Sequence, residues 1–326
     1  VPAALQVLQQ VQPKEMVMTT TSTLTLKTAI GGYGHFAALK SGKVKADGVD
    51  FEQVEVTPII NAFRRMCRQN EFDISEMAIT TYLTAKRYGL PFTAIPVFPV
   101  RAFHHGAAAY NVKSGVQKPK DLEGKKAGVR AYTVTTGVWC RGILSSEYDL
   151  DLKKVTWVLA DEEHVEQFHK DAPPNASYQI GANLGEMLAK GELAGGIGLG
   201  HSDSEDVKPL VPNANAAAAE WYKKTGVYPI NHMVVVKDEL LAKHSWLAPA
   251  LFRAFSEAKQ EWLSSASSED LAKARGGIIE GDPYPYGIAK NRKAIDLIMQ
   301  YATDQQILTR PFSMDAIFAA GTQNLE

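Results

Sequence analysis

From Leu24 onward, short β-branched apolar runs alternate with segments of helical spacing, and this alternation restricts the chain to few folds. Strand-like runs are read at residues 24–30, 49–56, 72–77, 92–97 and 106–112, and helices at residues 33–41, 58–68 and 80–88. Gly31-Gly32 ends the first strand, Thr57 and Pro58 open the second helix, and Gly89 with Pro91 stops the third. Strands separated by helices point to an α/β fold with a mainly parallel sheet covered on both faces.

A second set of elements follows the turn Lys118-Pro119-Lys120-Asp121. Strands are expected at residues 126–129 and 155–159 and helices at 134–147 and 185–190, with a glycine-rich strand after Gly191. Residues 203–219 read as a crossing or lid segment, with a helix over 216–224 as the alternative. The apolar run Met233-Val-Val-Val236 returns the chain to the first sheet, and from Asp238 the pattern is mostly helical, including residues 246–264. The expected organisation is an N-terminal extension (1–23), a first lobe (24–112 and 232–326) and a second lobe (113–231). Ligands of such folds bind at the carboxyl ends of strands and in the cleft between lobes.

Composition narrows the partners. With 326 residues, two domains or one large one are expected, and 35 basic against 36 acidic side chains leave a net charge of −1. That balance offers no broad attraction for nucleic acid or an anionic membrane. Cys67 and Cys140 form neither a disulfide framework nor a zinc-spaced set. No apolar run approaches the ~18 residues that cross a bilayer. No secretory pattern is visible after Val1, so a cytoplasmic location is expected.

Six blocks resemble those of the 4,5-dihydroxyphthalate decarboxylase family. They are Phe72-Asp-Ile-Ser-Glu-Met77, Ile95-Pro-Val-Phe-Pro99 with Arg101 and His105, Lys120-Asp-Leu-Glu-Gly-Lys125, Val138-Trp-Cys-Arg-Gly-Ile-Leu144, Tyr228-Pro-Ile-Asn-His232, and Pro285-Tyr-Gly-Ile-Ala-Lys-Asn-Arg292. The resemblance implies a two-lobed, type II periplasmic-binding-protein-like fold and a carboxy-lyase that acts in the degradation of phthalate-type aromatics. The chain departs from that pattern at Ala194-Gly-Gly-Ile-Gly-Leu-Gly200, followed by His201, where backbone replaces side chains on whatever the strand lines.

Removing CO2 from an aromatic ring needs a hydroxyl that pushes electrons toward the carboxylated carbon and an acid that protonates that carbon. Histidine exchanges protons near neutrality, and arginine is a permanent planar partner for carboxylates. His105, preferred over its neighbour His104, and His232 are the expected proton carriers, with Glu76 at a strand end as the associated carboxylate. His35, Arg101, Arg141 and Tyr286 are expected to contact substrate. The run Tyr132-Thr-Val-Thr-Thr136 precedes a helix, and its amides with the Thr133 and Thr135 hydroxyls would cradle a carboxylate. His164 and His169 read as part of a solvated charged face. No organic cofactor is called for. A divalent metal held by two histidines and Glu76 is not favoured, because no HxH or HExxH spacing occurs.

The expected partner is a small aromatic carboxylate, with homo-oligomerisation left open. Two rival readings use the same fold. One is a non-catalytic solute-binding protein for a small aromatic carboxylate. The other resembles the thiamine-pyrimidine synthases, in which histidine is consumed.

Overall fold

The structure, a computed structural model, describes residues 23–326. The expected N-terminal extension therefore lies, apart from Thr23, outside the described residues. The first lobe opens with β1 (Leu24–Ala29), α1 (Ala37–Lys40), β2 (Val49–Gln53), α2 (Ile60–Gln69), β3 (Ile74–Ala78), α3 (Ile79–Arg87) and β4 (Phe92–Arg101). The second holds β5 (Ala108–Asn111), β6 (Lys126–Val129), α4 (Thr135–Tyr148), β7 (Thr156–Leu159), β8 (Ala176–Tyr178), α5 (Leu184–Lys190), β9 (Gly195–Ile197), β10 (Val207–Pro209) and α6 (Ala214–Thr225). The chain then returns through β11 (Ile230–Lys237) to α7 (Asp238–Lys243), α8 (Leu247–Ser265), α9 (Ser268–Arg275), α10 (Ile288–Asp304) and α11 (Met314–Ile317).

The first sheet has the order β2-β1-β3-β11-β4. β1 runs parallel to β2 and β3, whereas β11 runs antiparallel to both β3 and β4. Every residue of β3 is buried, as are Met233 to Val236 of β11, because helices cover both faces of the sheet. The second sheet has the order β10-β5-β9-β6-β7-β8, in which β6, β7, β8 and β9 are parallel and β5 and β10 form an antiparallel edge. The first crossing thus precedes β5, earlier than the 112/113 boundary read from the sequence. A strand on either side of a crossing has the same apolar pattern, and only its hydrogen-bonded neighbours assign it to a sheet.

The two lobes meet along α2 and α3. Arg64 of α2 donates to Asp161 at 2.9 Å, and Arg68 donates to Glu162 at 2.9 Å and pairs with Glu166 at 3.0 Å. The Thr80 hydroxyl of α3 donates to the Thr133 carbonyl at 2.6 Å and lies 2.7 Å from the Thr135 hydroxyl of α4. One apolar cluster runs through both lobes, joining Phe63, Met77 and Tyr82 to Val138, Trp139 and Trp157. The Trp139 indole N–H donates to the Ile230 carbonyl at 2.9 Å, tying α4 to the return crossing.

Candidate active site at the lobe junction

Glu76 is 0% exposed in the middle of the first sheet, where an unpaired carboxylate would carry a large desolvation cost. Three donors meet it. The Gly31 N–H reaches Oε2 at 2.8 Å, the Tyr33 hydroxyl reaches Oε1 at 2.6 Å, and His232 Nδ1 lies 2.6 Å from Oε1. β1 ends at Ala29, so the following turn brings Gly31 and Tyr33 over the end of neighbouring β3. β11 supplies His232, whose register partner on β3 is Ala78, two residues along from Glu76 and on the same face. Gly31 is required by close approach: a Cβ there would lie 2.5 Å from the Tyr33 ring.

The His232 side chain is 21% exposed, unlike its partner carboxylate. With Nδ1–H directed at Glu76, Nε2 is the atom left to exchange a proton. The Phe63 ring of α2 stands edge-on to His232, with centroids 5.0 Å apart, and lies 6.1 Å from the ring of His164 on the second lobe. His164 Nδ1 is 3.5 Å from the Thr81 hydroxyl. Burial, together with Arg130 and Arg64 nearby, pushes His164 down to about 3, so it is neutral near pH 7. Arg64 and Arg130 converge on the single carboxylate of Asp161, at 2.9 and 2.8 Å. His164 is therefore no part of a solvated face. Its loop folds inward, which the charged residues flanking it in sequence conceal.

Part of the expected carboxylate cradle, ahead of the first turn of α4, is occupied by the chain itself. The amides of Tyr132 and Thr133 donate to Glu163 at 2.7 and 3.1 Å, and the Thr133 hydroxyl and the Tyr178 hydroxyl add bonds at 2.5 and 3.2 Å. Glu163 is 2% exposed. Thr135 faces Thr80, as described above.

Of the other expected site residues, His35 adjoins this pair through Tyr33, and the rest make no hydrogen bond to it. His105 is buried against Trp221, with ring centroids 5.4 Å apart, and both its ring nitrogens lack partners. Among the described residues it makes no hydrogen bond to Glu76 or His232. His104 Nε2 lies 3.1 Å from Asn231 Oδ1, one residue before His232, and burial lowers it to about 4. His35 is stacked with Tyr33 at 5.3 Å and tilted against Tyr284 at 4.2 Å, and burial lowers it to about 4.

Arg141 of α4 is fully buried; it binds Gln305, at the end of α10, at 2.7 Å and the Tyr132 carbonyl, and it lies against the Tyr132 and Trp157 rings. Arg101 donates to the carbonyls of Tyr228 and Pro285 at 2.9 and 3.1 Å and to Asn291. Tyr286 is buried beneath the Lys259 ammonium, 4.3 Å from its ring. The glycines of β9 pack against neighbours: a Cβ at Gly195 would meet Leu122 at 2.9 Å and the Ala109 carbonyl at 3.2 Å. Among the described residues, no group of three or more His, Cys, Asp or Glu side chains is arranged to hold a metal ion, and no helix is long and apolar enough to cross a membrane.

Tyr33, Phe63, Arg64 and His164 were not among the residues singled out from the sequence as site candidates. Tyr33 had a signal, since it follows the glycine pair at the end of the first strand, where cleft residues of such sheets belong.

No protein-family model matches the chain. A curated 4,5-dihydroxyphthalate decarboxylase of Comamonas testosteroni is 32% identical over 301 residues, covering 84% of this chain and 90% of that protein. One of the same name from Pseudomonas putida is 33% identical over 215 residues, covering 61% and 82%. Among solved structures, the desulfurization enzyme DSZB covers 92% of this chain and 97% of its own, with a TM-score of 0.54 at 14% identity. The periplasmic aliphatic sulphonate binding protein SsuA from Escherichia coli covers 91% and 92%, with a TM-score of 0.53 at 11% identity. These two share the two-lobed, periplasmic-binding-protein-like α/β fold with this chain.

Proposed function

Because the chain belongs to the 4,5-dihydroxyphthalate decarboxylase family, whose curated relatives are carboxy-lyases, we propose that it removes CO2 non-oxidatively from a 4,5-dihydroxyphthalate-like ring at the lobe junction. The observation that carries this reading is the Glu76–His232 pair: a fully buried carboxylate with three donors, bonded to a histidine whose other nitrogen is free. Glu76 holds the Nδ1–H tautomer and stabilises the imidazolium, so His232 Nε2 is the proton carrier.

The ring hydroxyl para to the departing carboxylate supplies electron density to the carbon that bears it. His232 delivers its Nε2 proton to that carbon, the C–C bond breaks, and its electron pair returns to the ring as CO2 leaves. One carboxylate is lost and one C–H bond is gained, so no electrons enter or leave. The retained carboxylate is held on the Arg64–Arg130 side, where two guanidinium groups share one aspartate. The edge of Phe63 and the lobe contacts around it keep water from competing for the proton.

The test is CO2 release from 4,5-dihydroxyphthalate in D2O. Turnover should leave one deuterium at the vacated ring carbon and should fail in His232→Ala. Binding without turnover by the unaltered protein would favour the solute-binding alternative, and mass loss at a histidine would favour the suicidal one.

A further inference from the structure

A second cluster lies at the end of β4, where Arg101 is the register partner of Ile230 on β11, and nothing in the proposed reaction uses it. Arg101, at the end of β4, is 8% exposed, and its Nε has no hydrogen-bond partner. Its other nitrogens meet two backbone carbonyls and the Asn291 side chain, and among the described residues it has no ion-pair partner. A buried guanidinium facing only neutral acceptors leaves its charge uncompensated.

That guanidinium lines a pocket of about 420 Å³, within the range of small-molecule sites. Tyr222, Tyr228, Lys290, Asn291 and Lys293 also face it. The pocket opens at the start of the 17-residue α10, whose first turn carries no acidic residue and whose N-cap makes no side-chain bond. Lys293 has no ion-pair partner among the described residues. Its ammonium lies over Gly226, where a Cβ would be 3.2 Å from Nζ.

Two acids also line the pocket, but neither cancels this charge. Asp282 is committed to Lys259 at 2.6 Å, and Glu280 is exposed. Lys290 shares Glu326 at 3.6 Å. Cations thus gather around a cavity whose walls also include the apolar Ile279, Ala289 and Ala294, the amide of Asn291 and the two acids.

We propose that this pocket binds a small aromatic polycarboxylate, its carboxylates on Arg101 and Lys293 and its ring beside Tyr222; Tyr228, stacked on Phe103 and lying under the Arg101 guanidinium, backs the site. Mixed cationic and aromatic walls suit a ring with charged substituents better than a bare oxyanion. The site is separate from the Glu76–His232 pair and does not depend on decarboxylation. Tyr222 and Gly226 come from the second lobe and its connection, and α10 from the first, so the ligand bridges the two lobes at their crossing.

The experiment is amine acylation of the full chain, read at each lysine by peptide mass spectrometry, with phthalate, inorganic phosphate or chloride at equal ionic strength. Phthalate at ten times its dissociation constant should slow labelling of Lys290 and Lys293 about tenfold, leaving exposed Lys208 unchanged. The same protection is expected in His232→Ala, because the catalytic pair is not involved. Lys293→Gln, an exposed substitution that preserves the fold, should weaken the protection of Lys290. No protection by phthalate, phosphate protecting as well as phthalate, or undiminished protection of Lys290 in Lys293→Gln would each overturn the proposal.

Discussion

The Nδ1 of His232 lies 2.6 Å from Oε1 of Glu76, although 156 residues separate them in the chain. β11 returns from the second lobe to lie antiparallel to β3, and that pairing sets the two side chains diagonally on one face. Exposure differs sharply within the pair, with the carboxylate sealed and the imidazole partly open. Such a pair fixes the orientation of the imidazole and leaves Nε2 without a hydrogen-bond partner among the described residues.

His232→Ala should lower kcat for CO2 release by roughly 10²–10⁴, the usual contribution of a positioned acid. Glu76→Gln should cost roughly 10² through the wrong tautomer. Steady-state assays of CO2 release check both, and more than half of normal activity in His232→Ala would remove this histidine as the proton carrier.

Tyr33→Phe removes one donor from Glu76 and should reduce kcat by roughly tenfold while KM changes little, a loss of about 1.4 kcal/mol. Gly31→Ala drives its new methyl group into the Tyr33 ring and should reproduce that loss. Equal activity of Gly31→Ala and the unaltered enzyme would contradict the packing argument.

Glu163→Ala strips the Tyr132 and Thr133 amides of their acceptor and should destabilise the protein by about 3 kcal/mol. Acetate at millimolar concentration should restore part of that loss by entering the vacated cradle. Denaturant midpoints measured with and without acetate decide this, and equal midpoints would mean that the amides do not form an anion site by themselves.

Arg141→Ala should lower stability by about 3 kcal/mol or more, through the stranded Gln305 and Tyr132 acceptors and the space left between two rings. KM for an aromatic dicarboxylate should hold within about twofold. A large rise in KM with unchanged stability would return Arg141 to the substrate.

Acid should destabilise the fold well before carboxylates are protonated. Burial holds His35 and His104 down to about 4 and His164 to about 3, against 6.5 in the unfolded chain. Between these values the unfolded state binds more protons, so stability falls as pH drops below about 6.5. The slope is up to about 1.4 kcal/mol per pH unit for each histidine. Glu71, lowered to about 2 by Arg65, adds its own loss only below about 4.5. Denaturant melts at pH 6.5 and 4.5 should show the fall, with a shallower slope in His164→Asn. Constant stability over that window would mean that these rings are hydrated.

Strands and helices were legible because each announces itself locally. The predicted strand at residues 126–129 coincides with β6, and the helix predicted at 185–190 differs from α5 by one residue. Tyr228-Pro-Ile-Asn-His232 and Phe72-Asp-Ile-Ser-Glu-Met77 likewise pointed to His232 and Glu76. His105 and Arg141 carried equally good family blocks and chemistry, yet they lie in interior packing. A residue's type declares what it can do, and only its neighbours in space declare whether a ligand reaches it.

The order of elements, the two-lobed α/β architecture and the chemistry-bearing blocks were determined by the sequence alone, since periodicity, turn residues and short motifs act over a few residues. Which blocks meet was decided by tertiary structure. The diagonal of β3 and β11, the inward fold of the loop carrying Glu163 and His164, and the position of Arg101 opposite Ile230 all depend on pairings between distant segments. Burial and hydrogen-bond partners, which decide whether a histidine or arginine serves catalysis or packing, arise only from those pairings.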